Sequence, residues 1–215
     1  MSKHEYDHPE SYTKVVNAQF EKPVEPTYEV AHQLIGKLDY DLDTFCKTTD
    51  WYNLPSEVYY ESSLKKYPGA DESIKKGLEI DLRIWKSDFS DYIHSYMSDE
   101  CGFDMYNATL QYFPTKAVTK SHIDFHGGFR NRHGLYDILT PPKMYDVIKR
   151  HWVPLTDRKY GHYFEMNGHI LDWKAGDIFW LRTQYPHVGA CLASDPRIFL
   201  ILTGAKQEDI DAATK

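Results

Sequence analysis

Two histidines and an aspartate stand in an order that could bind a metal ion. His122 and Asp124 are separated by one residue, His187 follows sixty-three residues after Asp124, and Arg197 comes ten residues later. Two neutral imidazoles and one carboxylate can hold a ferrous ion on one face and leave the remaining positions open for substrate and dioxygen. The guanidinium of Arg197 could capture a carboxylate through two parallel hydrogen bonds. These residues predict an iron site with an anion-binding cation beside it.

The His-x-Asp tripeptide carries little weight alone. The chain has 11 histidines and 32 acidic residues, so roughly one such tripeptide is expected by chance. Its setting adds support, because alternate side chains of an extended strand project from one face. On a strand through this segment His122, Asp124 and His126 would point the same way, and His187 would open a later strand. We therefore expect the third ligand to come from that later strand.

Four other histidines are alternatives for the third ligand: His133, His151, His162 and His169. His151 follows Arg150 in one strand, so its side chain would face the other side of the sheet. His162 and His169 flank the hairpin signal Asn167-Gly168 and are expected to face solvent. His187 remains the preferred third ligand.

The part of the sequence after residue 104 has the pattern of short β-strands. Apolar runs predict strands over residues 107–113, 116–122, 150–155, 163–166, 170–173, 177–181, 188–192 and 198–203. Turn signals such as Asn167-Gly168 separate them. About eight short strands at near-regular spacing are typical of an antiparallel sandwich or jelly roll.

The first half of the chain has a different character. Residues 1–26 are polar and carry three prolines, so we expect an arm laid on the surface. Apolar residues recur at three- or four-residue steps within 28–50 and 71–98, a spacing that predicts two amphipathic helices.

The length and composition fit one structural domain. The chain has 215 residues, of which 41% are hydrophobic and 15% aromatic, enough for a folded core. We expect an N-terminal arm with supporting helices over 1–104, a β-strand core over 105–204 and a C-terminal tail over 205–215.

Charge and cysteine content bear on partners and location. The net charge of −7 is opposite in sign to that of a nucleic-acid-binding surface, which disfavours a nucleic-acid partner. The first residues are polar, and no apolar run approaches the roughly 18 residues of a membrane span, so we expect a cytoplasmic protein without membrane association. Cys46, Cys101 and Cys191 are far apart, which indicates reduced thiols and neither a disulfide framework nor a zinc knuckle.

Two arginines are candidates for binding an acidic small molecule. Arg197 leads into an apolar strand and shares a face with Phe199 and Ile201. An unpaired buried charge costs several kcal/mol, so this cation needs an acidic partner, which a dicarboxylate cosubstrate would supply. Arg150 alternates with Trp152 in its own strand and is the second candidate.

In this order and spacing, the residues resemble the iron(II)- and 2-oxoglutarate-dependent oxygenases. The resemblance is strongest to the aspartyl/asparaginyl β-hydroxylase-like branch, which also contains proline hydroxylases. It covers roughly residues 105–204 and rests on His122-x-Asp124, Arg150-x-Trp152-x-Pro154-Leu155, Trp173-x-x-Gly176-Asp177, His187 and Arg197. Trp152 stands where that branch often has a histidine.

The resemblance implies a fold, a ligand set and a reaction. The fold would be a double-stranded β-helix, a jelly roll of the cupin type. Iron(II) would be bound by His122, Asp124 and His187, and the distal carboxylate of 2-oxoglutarate by Arg197 with assistance from Arg150. The enzyme would be a dioxygenase that consumes dioxygen, hydroxylates an unactivated carbon and releases succinate and carbon dioxide. The carboxylate ligand favours hydroxylation over halogenation, which needs that ligand position vacant.

The segment after the aspartate is expected to meet the substrate. Residues 126–149 carry paired glycines, paired prolines and scattered charges. A loop of this length beside a metal site is often functional, so we interpret it as a lid or substrate loop, the alternative being a surface insertion. His126 and Arg130 are the expected pocket residues, with two alternatives for His126, a competing metal ligand or a cap of the strand. The expected substrate is a small molecule or an amino acid, with a peptide side chain as a further class.

Two other functions compete with the oxygenase hypothesis. A non-catalytic β-helix protein that binds a small acid would explain the strands and arginines but would leave the metal triad without a role. A cupin-like metalloenzyme working without 2-oxoglutarate would explain the triad but has no need of Arg197.

Overall fold

A computed structural model of the chain describes residues 31–61, 65–66, 77–119 and 121–215. The expected N-terminal arm over 1–26 lies outside these residues. Within the described part, the chain forms twelve β-strands and five α-helices. None of the helices in that part is both long and apolar enough to cross a membrane.

The strands fall into two antiparallel sheets. In chain order they are β1 His32–Lys37, β2 Tyr59–Glu61, β3 Lys65–Lys66, β4 Leu78–Asp81, β5 Met105–Phe113, β6 Ala117–Val118, β7 Lys149–Pro154, β8 His162–Met166, β9 His169–Ile170, β10 Asp177–Leu181, β11 His187–Cys191 and β12 Arg197–Ala205. The larger sheet has seven strands in the order β1-β10-β7-β12-β5-β4-β2. The smaller sheet has five in the order β3-β6-β11-β8-β9.

Alternation along the strands of the larger sheet gives it two apolar faces. On β7, Trp152 belongs to the core that includes Phe164 and Cys191 of the smaller sheet. The next residue, Val153, belongs to a second core on the opposite face. The long strand β12 alternates in the same way, with Phe199 towards the smaller sheet and Leu200 away from it. Because both faces of the sheet are covered by apolar cores, these strands appear in the sequence as continuous apolar runs.

The helices are short and lie beside this framework. They are α1 Leu42–Thr48, α2 Asp88–Ser95, α3 Gly127–Arg132, α4 Lys143–Val147 and α5 Gln207–Thr214. Helix α2 begins with a capping box between Ser87 and Ser90 and continues into a π-helical turn, Tyr96–Glu100. Its apolar side, with Phe89 and Ile93, packs in the second core of the larger sheet.

The structure confirms the predicted fold class. Two antiparallel sheets with their apolar faces together and few helices are the mainly-β jelly-roll architecture expected of a double-stranded β-helix. All three cysteines are free thiols, although only Cys191 is fully buried.

The helical predictions before residue 105 are wrong over two stretches. His32–Lys37 is strand β1, paired with β10, and Leu78–Asp81 is strand β4, paired with β5. Among the described residues of these two stretches, helix is confined to α1, α2 and the start of the π-helical turn at Tyr96. Strand pairing with a distant partner overrode a local spacing of three or four apolar residues. The larger sheet therefore includes strands that precede residue 105. The division of the chain into arm, core and tail stays a prediction.

Residues 126–149 are more ordered than a loop. They contain α3 and α4, and their apolar side chains form a separate small core with residues of α5. The expected strand over 116–122 is shorter in the structure, with only Ala117–Val118 in β6 and one isolated bridge at His122. Whether the 126–149 segment is a lid stays a prediction.

Candidate metal centre

The two histidines of the triad lie opposite each other across an isolated antiparallel bridge. The backbone N–H of His122 donates to the carbonyl of His187 at 3.0 Å, and the reverse bond is 2.9 Å. His187 opens β11, as expected from the sequence, and pairs on its other side with Met166 of β8. The ring centroids of the two histidines are 4.3 Å apart. A strand register thus brings together two residues that are distant in the sequence.

Asp124 completes the cluster from an irregular segment. Its backbone N–H donates to the carbonyl of Thr183 at 3.2 Å. Its carboxylate oxygens lie 3.6 Å from His122 Nε2 and 3.5 Å from His187 Nε2. One potential ligand atom from each of the three residues lies within 4.8 Å of the others. The structure therefore places the three predicted ligands in one group that could hold a metal ion.

A hydrogen bond at the second ring nitrogen of His187 fixes which of its two nitrogens is free to bind a metal ion. Its Nδ1 lies 3.3 Å from the carbonyl oxygen of Tyr185. A carbonyl only accepts, so Nδ1 carries the proton and Nε2 keeps a free lone pair towards Asp124. Burial lowers the pKa of His187, with the nearby carboxylate opposing this effect. The neutral imidazole is the form that binds a metal.

Positive charge around Asp124 keeps its carboxylate ionised. Burial alone would raise its pKa, but the charges of Arg150 and of the neighbouring histidines outweigh burial and lower the pKa to about 2. Arg150 forms an ion pair with one carboxylate oxygen. Asp124 is therefore an anion at neutral pH, as a ligand carboxylate must be.

Arg197 is a buried cation without an acidic partner among the described residues. It is 1% exposed, and its Nη1 donates to the carbonyl of Tyr163. Its Nε has no hydrogen-bond partner. The guanidinium carbon lies 4.8 Å from the ring centroids of Phe113 and Phe199. Burial lowers the pKa of Arg197 to about 10, so it is still charged at neutral pH.

A glycine makes room for this guanidinium. Gly189 lies two residues after His187 on the same face of β11. A Cβ atom built on Gly189 would lie 2.6 Å from Nη2 of Arg197. The position of Arg197 therefore depends on the absence of a side chain at residue 189. The sequence holds only a weak signal of this dependence, namely a glycine in an otherwise regular strand.

Arg150 lies beside the candidate metal ligands. On β7 it faces the interior, as predicted, and it lies opposite Thr203 of the neighbouring strand β12. Its side chain contacts Asp124, Thr203 and His126. No sequence pattern indicated the two threonines of this region, Thr203 and Thr183, which are both 3% exposed.

His126 is close to the triad but is not part of it. Its backbone φ of 50° is left-handed, and it does not belong to the group of potential ligands formed by His122, Asp124 and His187. Its Nε2 lies 2.7 Å from Thr183 Oγ1. Burial and the charge of Arg150 lower the pKa of His126 to about 3, which keeps it neutral.

Arg130 lies inside the 126–149 segment. Its guanidinium donates to the carbonyls of Phe125 and Tyr136 and lies over the Tyr136 ring at 4.5 Å. It is 5% exposed. These contacts tie the segment together internally, and a role of Arg130 in binding substrate stays a prediction.

The rival histidines do not join the cluster. His151 faces the opposite side of the larger sheet, near Phe103, as predicted. His169 is exposed as expected. The same prediction for His162 is wrong, because this residue is 2% exposed and its Nε2 lies 3.1 Å from the carbonyl of Asp195. A strand-end position does not reveal which side chain turns inward.

No family model matches the chain, and neither does any curated protein. Solved structures do share its fold. The non-haem α-ketoglutarate-dependent epimerase SnoN of nogalamycin biosynthesis has a TM-score of 0.53 and 10% identity, over 91% of this chain and 84% of its own. AviO1 from Streptomyces viridochromogenes Tue57 has a TM-score of 0.53 and 12% identity, over 82% and 90%. A prolyl-4-hydroxylase from Pseudomonas putida has a TM-score of 0.49 and 16% identity, over 82% and 93%.

At these identities the similarity concerns the fold. The chain has a double-stranded β-helix fold that also occurs in a non-haem α-ketoglutarate-dependent enzyme. The cluster of His122, Asp124 and His187 is a feature of this chain itself.

Proposed function

We propose that this protein is an iron(II)- and 2-oxoglutarate-dependent dioxygenase that hydroxylates an unactivated carbon. The observation that carries the proposal is the placement of a three-ligand cluster and an unpaired buried guanidinium around one aromatic ring. The Phe164 ring lies 6.1 Å from the His187 ring and 5.9 Å from the guanidinium carbon of Arg197. A metal and an anion bound at these two places would be close enough for one molecule to contact both.

The donor set fits iron(II). Two imidazole nitrogens and one carboxylate oxygen suit a divalent metal of this kind and leave coordination positions open. His187 has its proton on the nitrogen that faces away from the cluster, and Asp124 is ionised. His122 keeps 42% of its side chain exposed, so the cluster is accessible on that side.

The interior also fits a small dicarboxylate. Two buried N–H groups, Arg197 Nε and Trp152 Nε1, have no hydrogen-bond partner. A buried N–H donor without an acceptor destabilises the folded state by about 1–3 kcal/mol, and by more when it is charged. A bound acid that accepts hydrogen bonds from these two groups would remove that cost. The Trp152 ring stacks on Phe164 at 4.6 Å. The distal carboxylate of 2-oxoglutarate at Arg197 would satisfy this need.

The cofactors and the residues of the chain would have separate roles in this reaction. Iron and 2-oxoglutarate together supply oxidative chemistry that consumes dioxygen and releases succinate and carbon dioxide. Arg197 would fix the cosubstrate through its far carboxylate, and the neighbouring aromatic rings would exclude water from this part of the site. His122, Asp124 and His187 would hold the metal on one face, leaving room for substrate.

The substrate class and the branch are proposals of the same kind. We favour a small molecule or an amino acid, with a peptide side chain as the second class, and expect it to approach the exposed side of His122 beside the 126–149 segment. Kinship with the aspartyl/asparaginyl β-hydroxylase-like branch is supported by the Arg150-x-Trp152-x-Pro154 strand.

Anaerobic titration tests the proposal. Ferrous iron and then 2-oxoglutarate are added to the protein, and the visible absorption of the keto-acid chelate is expected at roughly 500 nm. His187→Ala should abolish the band. The matched control is His169→Ala, because His169 is exposed and outside the cluster. Absence of the band in the parent protein, or its persistence in His187→Ala, would refute the assignment.

The same titration separates the competing functions. Metal binding that depends on His187 without a response to 2-oxoglutarate would indicate a cupin-like metalloenzyme. Binding of 2-oxoglutarate without any metal would indicate a non-catalytic acid-binding protein. Succinate formation with panels of amino acids and small metabolites then identifies the substrate, because substrate accelerates the turnover of 2-oxoglutarate.

A further inference from the structure

All three nitrogens of the Arg150 guanidinium have partners close to the metal ligands. Nη1 donates to Asp124 Oδ2, Nε donates to Thr203 Oγ1 at 3.2 Å, and Nη2 lies 3.4 Å from Nδ1 of His126. The side chain is 17% exposed. The N–H donors of the Arg150 guanidinium are therefore directed at groups of the protein.

The contacts of Arg150 belong to a closed ring of hydrogen bonds. Arginine only donates, so Nδ1 of His126 must accept and its Nε2 carries the proton. That N–H donates to Thr183 Oγ1 at 2.7 Å. The carbonyl of Thr183 accepts the backbone N–H of Asp124 at 3.2 Å. The ring therefore begins and ends on Asp124, holding both its carboxylate and its backbone.

Asp124 needs such support because no strand holds it. Residues 123–126 have no regular structure, whereas Arg150 lies on β7, between β10 and β12 of the larger sheet. A ligand carboxylate is commonly oriented by a hydrogen bond to one of its oxygens, which leaves the other in a defined place. Arg150 makes this bond from a strand that is paired on both sides.

We propose that Arg150 is a positioning residue of the metal site: with His126 and Thr183 it fixes the orientation of Asp124, and Arg197 alone captures the far carboxylate of the cosubstrate. This inference rests on the proposed function. It assigns Arg150 a role other than the cosubstrate contact that the family resemblance implies, and it assigns His126 and Thr183 roles within the support of a metal ligand.

The test compares metal affinity with cosubstrate affinity in variants that conserve charge. Arg150→Lys keeps a positive charge near the metal site. A change in Co²⁺ affinity would therefore reflect the loss of the guanidinium contacts and not the removal of a charge that repels the metal ion. An ammonium lacks the planar fork that reaches Asp124 and His126 together. Thr183→Val is the second variant; it removes the hydroxyl at the far end of the ring, conserves size, and leaves Arg150 and the carboxylate intact.

Calorimetry would measure Co²⁺ binding to the whole protein, followed by 2-oxoglutarate binding to the Co²⁺-saturated protein. We expect Arg150→Lys to weaken Co²⁺ binding about tenfold and Thr183→Val a few-fold. The affinity of the Co²⁺-saturated protein for 2-oxoglutarate should change less than twofold in both variants. Arg197→Lys serves as the contrast, with weaker 2-oxoglutarate binding and unchanged Co²⁺ binding. The visible spectrum of bound Co²⁺ should shift only in the first two variants.

Two results would overturn the inference. One is a larger loss of 2-oxoglutarate affinity than of Co²⁺ affinity in Arg150→Lys, which would make Arg150 a cosubstrate ligand. The other is an unchanged Co²⁺ affinity and an unchanged Co²⁺ spectrum in both Arg150→Lys and Thr183→Val. Failure of the proposed function itself would be visible earlier, as wild-type protein that binds no Co²⁺ in a His187-dependent manner, and that would overturn both.

Discussion

Replacing Arg197 with leucine should make the protein more stable when no acid is bound and less stable when 2-oxoglutarate is present. The residue is 1% exposed, and no carboxylate among the described residues pairs with it. A buried, unpaired charge destabilises the folded state, and an uncharged apolar side chain at this position removes that penalty. The two opposite effects distinguish a ligand-binding cation from a structural one.

The size of the first effect follows from the pKa. Burial lowers the pKa of Arg197 from 12.5 to about 10. At ~1.4 kcal/mol per pH unit, this corresponds to about 3 kcal/mol against the charged form in the folded protein. Arginine is protonated at pH 7 in both the folded and the unfolded state, so the whole penalty is present there and falls only as the pH rises through 10.

Part of the gain is offset in the leucine variant. The carbonyl of Tyr163 loses its donor, which costs about 1 kcal/mol. The expected net increase in the free energy of unfolding is about 2 kcal/mol, or roughly 4–8 °C in Tm for a domain of this size. With 2-oxoglutarate at a hundred times its Kd, the wild-type protein should gain about 2.7 kcal/mol, and the variant should gain little.

Differential scanning calorimetry of the metal-loaded, anaerobic protein with and without 2-oxoglutarate measures both effects. Arg158→Leu is the matched control, because Arg158 is partly exposed and pairs with Asp172; neither effect is expected there. A lower Tm of Arg197→Leu in the absence of 2-oxoglutarate would show that the cation supports the fold. An equal response to 2-oxoglutarate in the variant would show that it does not bind the acid.

Three further predictions concern single positions. Gly189→Ala should displace the guanidinium of Arg197, since the new Cβ would lie 2.6 Å from Nη2; calorimetric titration should find 2-oxoglutarate binding weakened about tenfold or more, with metal affinity unchanged. Gly204→Ala places a Cβ 2.6 Å from Phe103 Cγ and should cost about 1–3 kcal/mol in urea unfolding; an unchanged midpoint would contradict the packing. Burial lowers the pKa of His151 to about 4, so the unfolded chain binds more protons between pH 6.5 and 4 and stability falls with pH there. His151→Leu should remove about 2 kcal/mol of that loss at pH 5, measured by urea unfolding at pH 8 and pH 5, whereas an identical pH dependence would refute the assignment.

The strands that carry the site could be predicted because their pattern is local. The segment Asp177–Leu181 is a short apolar run between turn signals and forms β10 with those bounds. The strand predicted over 198–203 from the same kind of run begins one residue earlier, at Arg197, and ends two residues later, at Ala205. Residues buried on both faces of a sheet leave little ambiguity in such a run.

Features decided by distant partners could not be predicted in this way. The segment of β1 has apolar residues spaced as in a helix, yet its Leu34 is 56% exposed on an edge strand. His126 has a left-handed backbone, with a φ of 50°, which is uncommon for residues other than glycine. Which carboxylate meets Arg150 depends on the fold of an irregular segment, and the sequence offered 32 acidic residues for that role.

The space left by Gly189 for Arg197 links the two positions in evolution. Arg197 of β12 reaches towards β11 of the facing sheet, and a side chain at residue 189 would collide with its guanidinium. Relatives that retain the arginine should therefore retain the glycine, whereas relatives that have lost the arginine are free to accept larger residues at the glycine position. Paired change at these two positions, more than change at either one, would mark the point in a lineage where the proposed acid-binding role of Arg197 was lost.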